Sequence, residues 1–270
     1  MPLAVCATPI GNLDDVTSRV LRELREADVV LCEDTRRTRI LLERHGIEAR
    51  LSSYHRHNEA ARTSEILARL ERGERVALVS DAGLPGVNDP GARLITAAAT
   101  AGLEVTVLPG PSAVETALVA SGLISDRYQF VGYLPRRAAE LRKLAGELAR
   151  WPGSVVAFES PRRLPASLAV LAEELPGRPA AICRELTKRF EEVVRGPLGE
   201  LAERFSESPR GEITIVLGAP AGVPRDAELG EAALAAVAEL VAAGVARRQA
   251  ADVVARLTGT SKNALYRGSL

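Results

Sequence analysis

The segments of this chain that could do chemistry are polar stretches set between apolar runs. Tyr54-His55-Arg56-His57-Asn58-Glu59 carries two of the three histidines of the chain next to a carboxylate. An imidazole and a carboxylate can each take a proton from a hydroxyl, which makes His57 and Glu59 candidate bases. Histidines at i and i+2 share one side of extended backbone, and that suits ordinary hydrogen bonding as well as metal ligation. No third His and no Cys stand near in the sequence, so the usual zinc set is incomplete and no metal is expected. A polar loop that stacks on or hydrogen-bonds a substrate fits better. Glu33-Asp34-Thr35-Arg36-Arg37 puts two further candidate acceptors, Glu33 and Asp34, beside two guanidinium groups. Glu159-Ser160-Pro161-Arg162-Arg163 and Arg184-Glu185-Leu186-Thr187-Lys188-Arg189-Phe190-Glu191 follow apolar runs in the second half. Their cations suit phosphate contact, and Lys188 or Arg184 suits a developing alkoxide. Solvated helix starts with local ion pairs account for the same patterns.

Three loops have backbones suited to close contact with a ligand. Thr8-Pro9-Ile10-Gly11-Asn12-Leu13 contains one glycine, which permits a close approach or an uncommon dihedral, but it lacks the G-x-G-x-x-G of a dinucleotide site. Ser80-Asp81-Ala82-Gly83-Leu84-Pro85-Gly86-Val87-Asn88-Asp89-Pro90-Gly91 is stiff and rich in accessible amides. Asp81 there suits either a ribose or ammonium contact or the bracing of the loop itself. Asp89 is expected to cap the following helix, with Pro90 at its first position. Pro109-Gly110-Pro111-Ser112-Ala113 leaves room for a flat base against the backbone, and it suits an interdomain hinge equally well.

The elements that would position these loops alternate. Leu3–Ala7, Val29–Cys32, Val76–Val79 and Val105–Leu108 are apolar runs of buried-strand length. Amphipathic stretches at Thr17–Ala27, Thr35–Arg44, Asn58–Arg72 and Asp89–Ala101 lie between them. This order predicts parallel βαβ units in an α/β domain over residues 1–110. After the Pro-Gly cluster, Ser112 is placed to cap a helix running to Gly122. A second α/β domain is expected over residues 111–220, with strands at Tyr128–Gly132, Val155–Phe158, Ala180–Cys183 and Ile213–Leu217. Its helices are expected at Arg136–Arg150, Arg162–Leu175 and Leu198–Phe205. In such sheets ligands bind beyond the carboxyl ends of the strands, which is where these loops fall. Gly218–Pro224 reads as a linker. Residues 226–270 read as helical, with Thr258-Gly259-Thr260-Ser261 as the turn of a helix-turn-helix or of a docked helical hairpin.

Composition limits the partners. Lys plus Arg equals Asp plus Glu, for a formal charge of +0, so any hold on a polyanion must come from local patches. Aromatic residues make up only 3% of the chain, too few for an extended base-stacking platform. The three cysteines, Cys6, Cys32 and Cys183, form no CxxC pair; Cys6 and Cys32 sit in apolar runs and are expected to be buried. No apolar run reaches the ~20 residues of a membrane span. The N-terminus lacks the pattern of a signal peptide, and a cytoplasmic protein with no membrane contact is expected.

Taken as an ordered series, these blocks resemble the ribosomal RNA small subunit methyltransferase I family of the tetrapyrrole methylase superfamily. The series is Ala7–Leu13, Glu33–Arg36, His55–Glu59, Ser80–Gly83, Pro109–Ala113, Phe158–Pro161 with Arg163, Arg184–Lys188, and Gly211-Glu212, and residues 258–266 resemble that family's C-terminal segment. The resemblance implies two α/β domains with S-adenosylmethionine in the cleft between them, and a homodimer. It implies methylation of a cytidine ribose 2′-hydroxyl in the decoding region of small-subunit (16S) rRNA, either free or in the 30S subunit. Pro9, Ile10, Gly11, Asp81, Ala82, Gly83, Ser112, Ala113, Leu186 and Glu212 would then line the cofactor pocket. Catalysis would draw on His57, Glu59, Glu33, Asp34 or Lys188. Arg36, Arg37, Arg136, Arg162, Arg163, Arg184 and Lys188 would meet RNA, with Arg137 and Arg189 beside them. Leu84 stands where the family usually has Thr, which removes a hydroxyl from the Asp81 loop. A small-molecule methyltransferase on the same fold and a non-enzymatic ribosome-binding protein are the competing readings.

Overall fold

The computed structural model describes residues 3–220, 226–258 and 260–269. Ala221–Pro224 of the expected linker and Gly259 of the expected turn lie outside the described residues. Contacts group the chain into two units, one ending at Gly218 and one beginning at Ala219.

The first unit contains two sheets. The first has strands β1 (Leu3–Cys6), β2 (Val29–Cys32), β3 (Leu51–Ser53), β4 (Val76–Val79) and β5 (Val105–Leu108) in the order β3-β2-β4-β1-β5. Every pairing in it is parallel. Its helices are α1 (Ser18–Glu26), α2 (Thr35–Arg44), α3 (Glu59–Glu71) and α4 (Ala92–Thr100). The residues of β1 are buried without alternation because each face of the sheet carries its own apolar layer. Ala4, Cys6, Val30 and Cys32 pack with Val20 and Leu24 of α1 and Leu41 of α2. Leu3, Val5, Val29 and Leu31 pack with Ile66 and Leu70 of α3 and Leu94 of α4. Continuous apolar runs are what a doubly covered parallel strand requires. All three cysteines are buried and free, and burial raises the Cys6 thiol to about 12.

Helix α5 (Ala113–Ser121) leads to the second sheet, in which β6 (Tyr128–Tyr133), β7 (Ser154–Glu159), β8 (Pro179–Arg184), β9 (Glu192–Pro197) and β10 (Ile213–Leu217) lie in the order β6-β7-β10-β8-β9. The β6–β7 pair is parallel, whereas β10 runs antiparallel to both neighbours and β8 pairs antiparallel with β9. Helices α6 (Ala138–Leu148), α7 (Leu164–Glu174) and α8 (Leu198–Arg204) cover one face, burying Leu141, Leu168 and Leu201. Against the other face, Val114, Ala117 and Leu118 of α5 pack on Val156, Ala181 and Val216, and the same cluster takes in Ile10 and Leu186. Ile10 belongs to the loop after β1, so the apolar layer of the second sheet reaches the loops of the first.

Two strands go beyond the sequence reading. β3 is three residues with no apolar run, and β9 is an edge strand of mixed polarity, Glu192-Val193-Val194-Arg195-Gly196-Pro197. The expected cap of α4 is corrected. Gly91, at φ 122°, occupies the position before the helix, and no side chain caps it; Asp89 and Pro90 stay in the loop. Ser112 does precede α5, but its hydroxyl bonds the Glu115 carboxylate rather than a backbone amide. The helix ends at Gly122 in the left-handed region, where a glycine costs least.

The second unit contains α9 (Asp226–Ala242), α10 (Arg247–Thr258) and α11 (Lys262–Gly268). Val237, Ala250, Ala251, Val254 and Leu265 form its core. Ser261 starts α11 by accepting the Ala264 N–H at 3.4 Å. Among the described residues, no helix is long and apolar enough to cross a membrane.

Candidate active site

The carboxyl ends of β1, β4 and β5 meet at one edge of the first sheet, and their loops are joined by backbone bonds. Thr8 and Gly83 exchange N–H···O bonds of 2.8 and 3.0 Å, and the Thr8 hydroxyl donates to the Ser80 carbonyl at 3.0 Å. Gly83 has φ 75°, a conformation open to glycine without strain. Ala7 N–H donates to the Leu108 carbonyl at 3.1 Å, holding the start of the Pro109–Ala113 loop alongside. Leu108 continues into the small residues Gly110, Ser112 and Ala113.

The second sheet supplies the facing wall through the loop after β8. Glu185 and Thr187 both have positive φ, 52° and 65°, which costs each about 1–2 kcal/mol in a residue other than glycine. The turn is held by Glu185, whose backbone N–H donates to the Glu212 carbonyl at 3.0 Å while its carboxylate accepts the Glu212 N–H at 2.9 Å. Lys188 bridges the Glu185 and Glu212 carboxylates at 2.9 Å each. This presses Leu186 inward. Gly11 makes the approach possible, because a Cβ there would sit 2.6 Å from Lys188 Cγ and 2.9 Å from the Leu186 carbonyl oxygen.

Between these walls lies a cavity of about 650 Å³, a volume suited to a nucleoside-sized ligand. Ile10, Asp81, Ala82, Gly83, Ser112, Ala113, Leu186 and Glu212 all line it. Pro9 and Gly11 are outside the lining: Pro9 borders a small neighbouring pocket with Thr38 and Leu41, and Gly11 packs on protein. Leu84 lines the cavity too. So do Phe130, Tyr133 and Phe158, with Phe158 edge-on to both other rings at centroid distances of 4.9 and 5.6 Å. Phe158 belongs to the block Phe158–Pro161 of the ordered series, whereas Phe130, within β6, and Tyr133, at its end, carried no sequence signal of their own.

The five candidate proton acceptors or donors fall elsewhere. His57, Glu59, Glu33, Asp34 and Lys188 are all absent from the cavity lining. Asp34 caps α2 by accepting the Arg36 N–H at 2.9 Å and also pairs with the Arg36 guanidinium at 2.7 Å. Those bonds lower its carboxyl to about 2. Glu59 opens α3 and its carbonyl accepts the Thr63 hydroxyl at 2.6 Å. His57 is exposed, with its ring 5.9 Å from that of His55. Tyr54, from the same segment, is a core residue at 1% exposure, bonded to Thr63 at 3.1 Å. At Glu33, burial chiefly, then the Asp81 charge, raises the carboxyl.

The cations divide by their partners. Arg37 lines the cavity and pairs with Asp81 at 3.6 Å. Arg163 pairs with the fully buried Glu159 at 2.5 Å and donates to the Leu134 carbonyl at 3.1 Å, so it braces β7 and α7. Arg184 pairs with Glu192 at 3.0 Å, and Arg137 with Glu140 at 3.4 Å. Arg136, Arg162 and Arg189 are exposed. Among the described residues, no group of three or more His, Cys, Asp or Glu is arranged to hold a metal ion.

A parallel sheet and a mixed sheet that close a cleft with their loops define a methylase architecture, and the comparisons agree. Residues 2–202 match the family model for tetrapyrrole (corrin/porphyrin) methylases, and the chain belongs to that family. It is similar to ribosomal RNA small subunit methyltransferase I of Mesorhizobium japonicum, 45% identical over 98% of this chain and 90% of that protein. The protein of the same name from Mycobacterium bovis is 46% identical over 98% of this chain and 93% of its own length. Among solved structures, uroporphyrin-III C-methyltransferase from Thermus thermophilus, complexed with S-adenyl homocysteine, superposes with a TM-score of 0.55. That alignment covers 80% of this chain and 96% of the other at 21% identity. The non-enzymatic reading is set aside by membership of a methylase family.

Proposed function

We propose that this chain transfers a methyl group from S-adenosylmethionine to a cytidine ribose 2′-hydroxyl in the decoding region of small-subunit rRNA. The observation that carries the reading is that similarity to the rRNA methyltransferases runs over 98% of the chain, so both walls of the cavity and the C-terminal helices are included.

The residues present fit the cofactor. The cavity wall combines small residues at Ala82, Gly83 and Ala113 with carboxylates at Asp81 and Glu212. Small residues accommodate a flat adenine, and carboxylates suit ribose hydroxyls and an ammonium group. A Cβ at Gly83 would be in ordinary contact with the Pro111 carbonyl oxygen at 3.8 Å and with Ile10 at 3.9 Å, so the three loops stand close together around this part of the wall. When bound, S-adenosylmethionine supplies an electrophilic methyl carbon on a positively charged sulfur. The work of the chain is to align the acceptor oxygen with that carbon, to exclude water, and to take up a proton. Phe130, Tyr133 and Phe158 serve the second of these, and Leu186 closes the far wall.

In this reading the lobes of residues 1–110 and 111–220 act as two domains around the cofactor, with 226–270 as a helical segment. The enzyme works in the cytoplasm on 30S subunits or their rRNA. It acts as a homodimer, supported by exposed apolar side chains at Val107, Val119 and Ile124, near the edge strands β5 and β6. The decisive experiment incubates the protein with methyl-labelled cofactor and unmethylated small subunits, then maps the label by nuclease digestion and mass spectrometry. Label on a cytidine 2′-oxygen is expected. Label on a tetrapyrrole and none on RNA overturns the reading.

A further inference from the structure

The helical unit at the end of the chain segregates its charge. Helix α9 carries four acidic residues and no Lys or Arg. Helices α10 and α11 carry five cations, Arg247, Arg248, Arg256, Lys262 and Arg267, against the single carboxylate of Asp252. In a chain of formal charge +0, this is a local basic surface of the kind that holds a polyanion.

Helical geometry places the charges on the outside. At about 100° per residue, Arg248, Asp252 and Arg256 form a stripe on the side of α10 away from Ala250, Ala251 and Val254, which lie in the core. Arg248 and Arg256 are exposed. Asp252 pairs with Arg256 at 3.5 Å and also with Lys262, the first residue of α11, so the stripe runs from one helix onto the next. The Thr258 hydroxyl fixes the start of the turn between them, donating to the Val254 carbonyl at 2.8 Å and accepting the Thr260 N–H at 3.3 Å. On α11, Asn263 and Arg267 are exposed and lie opposite the buried Leu265. Among the described residues, the ion pairs of α10 and α11 all converge on Asp252, which leaves Arg248 and Arg267 without a carboxylate partner. Solvated pairs such as those of Asp252 are weak, so Arg256 and Lys262 can turn to a phosphate as well. Leu257, 81% exposed, and Tyr266, 40% exposed, add apolar surface beside the cations for a ribose or a base.

We propose that the outer faces of α10 and α11 form a phosphate-binding surface for the rRNA substrate. This deepens the proposed function and rests on it. A guanidinium offers paired N–H donors that match two phosphate oxygens. Phosphate contacts position a nucleic acid without reading its bases, so this surface supplies affinity and orientation rather than sequence choice.

The full chain carrying Arg248→Gln and Arg267→Gln keeps side-chain length and helix propensity. Its dissociation constant for small ribosomal subunits should rise roughly fourfold to fivefold per lost contact at ~0.15 M salt, and about 15- to 30-fold for the pair. The slope of log affinity against log salt should become shallower by ~1.4–1.8, with the dissociation constant for S-adenosylmethionine unchanged by calorimetry. Asp252→Asn tests the sign. It frees Arg256 and Lys262, and should tighten subunit binding ~2–5-fold and steepen the slope, which a folding defect would not do. Ultraviolet cross-linking of the unsubstituted protein to subunits should yield peptides of α10 or α11 that carry a nucleotide. Unchanged affinity and slope in the double variant, weaker binding by Asp252→Asn, or cross-links from these helices to ribosomal proteins and none to RNA each overturn the proposal. If the unsubstituted protein labels RNA while the variants bind as it does, the proposal alone falls. If it neither binds nor labels small-subunit RNA, the underlying reading falls and the proposal with it.

Discussion

At the scale of single residues, the site depends on close approach more than on special side chains. Gly11 is the sharpest case. A methyl group there meets the Leu186 backbone carbonyl at 2.9 Å and Thr187 Oγ1 at 2.7 Å. Lys188 can swing aside, but a carbonyl fixed in a turn with two left-handed residues cannot. Gly11→Ala should therefore cost ~1–3 kcal/mol of stability, the usual penalty of overpacking. It should also weaken cofactor binding, because Leu186 is pushed out of the wall. Urea unfolding reads the first effect and calorimetry with S-adenosylmethionine the second; a variant unchanged in both would mean that the two loops do not need this contact. The sequence pattern marked Gly11 as a place of close approach, but what approaches is the chain itself. Asp89 was harder to read. An Asp-Pro pair ahead of a helix matches a capping pattern, and only the positive φ of Gly91 shows that the helix starts two residues later.

At the scale of elements, the parallel half of the fold was legible because its strands are buried on both faces and so appear as unbroken apolar runs. β3 and β9 were not legible. Each lies at a sheet edge, and β9 takes its place through antiparallel bonds to β8 over all six of its residues, a tertiary condition that leaves little trace in composition. The same limit hid Arg178, which reads as a charged residue in a turn yet is only 4% exposed. Its guanidinium donates to the carbonyls of Leu148, Gly153 and Gly218 at 2.6, 3.2 and 2.8 Å, tying the end of α6 and the approach to β7 to the chain after β10. Its charge is met by carbonyl dipoles, and burial lowers the guanidinium to about 10. Arg178→Leu leaves three carbonyls without this donor, each a loss of about 1–3 kcal/mol before relaxation. Since water can reach part of the gap, a net loss of ~3 kcal/mol is expected in urea unfolding. A loss under ~0.5 kcal/mol, the range of ordinary surface substitutions, would show that the carbonyls find other partners.

At the scale of the whole molecule, a chain with formal charge +0 must hold RNA by local cations whose charge is not already answered within the protein. The ion pairs separate the arginines on this basis. Arg163 and Arg184 are half-buried and paired with Glu159 and Glu192, so replacing them disturbs the fold before it disturbs RNA. Arg136 and Arg162 are exposed, and they follow β6 and β7, at the end of the second sheet where Tyr133 and Pro161 line the cavity. A phosphate contact made by either releases counterions, which gives a slope of about −0.9 in log affinity against log salt per phosphate on a duplex, or about −0.7 on a single strand. Arg136→Ala and Arg162→Ala should each weaken small-subunit RNA binding and make the slope shallower by about that amount, and the double substitution by about twice as much. The dissociation constant for S-adenosylmethionine should stay unchanged, because neither side chain lines the cavity. Filter binding across a salt series checks this. If the double variant bound RNA with the original slope, the cations that hold the substrate would have to lie elsewhere, and Arg37, which lines the cavity beside Asp81, would be the next to replace.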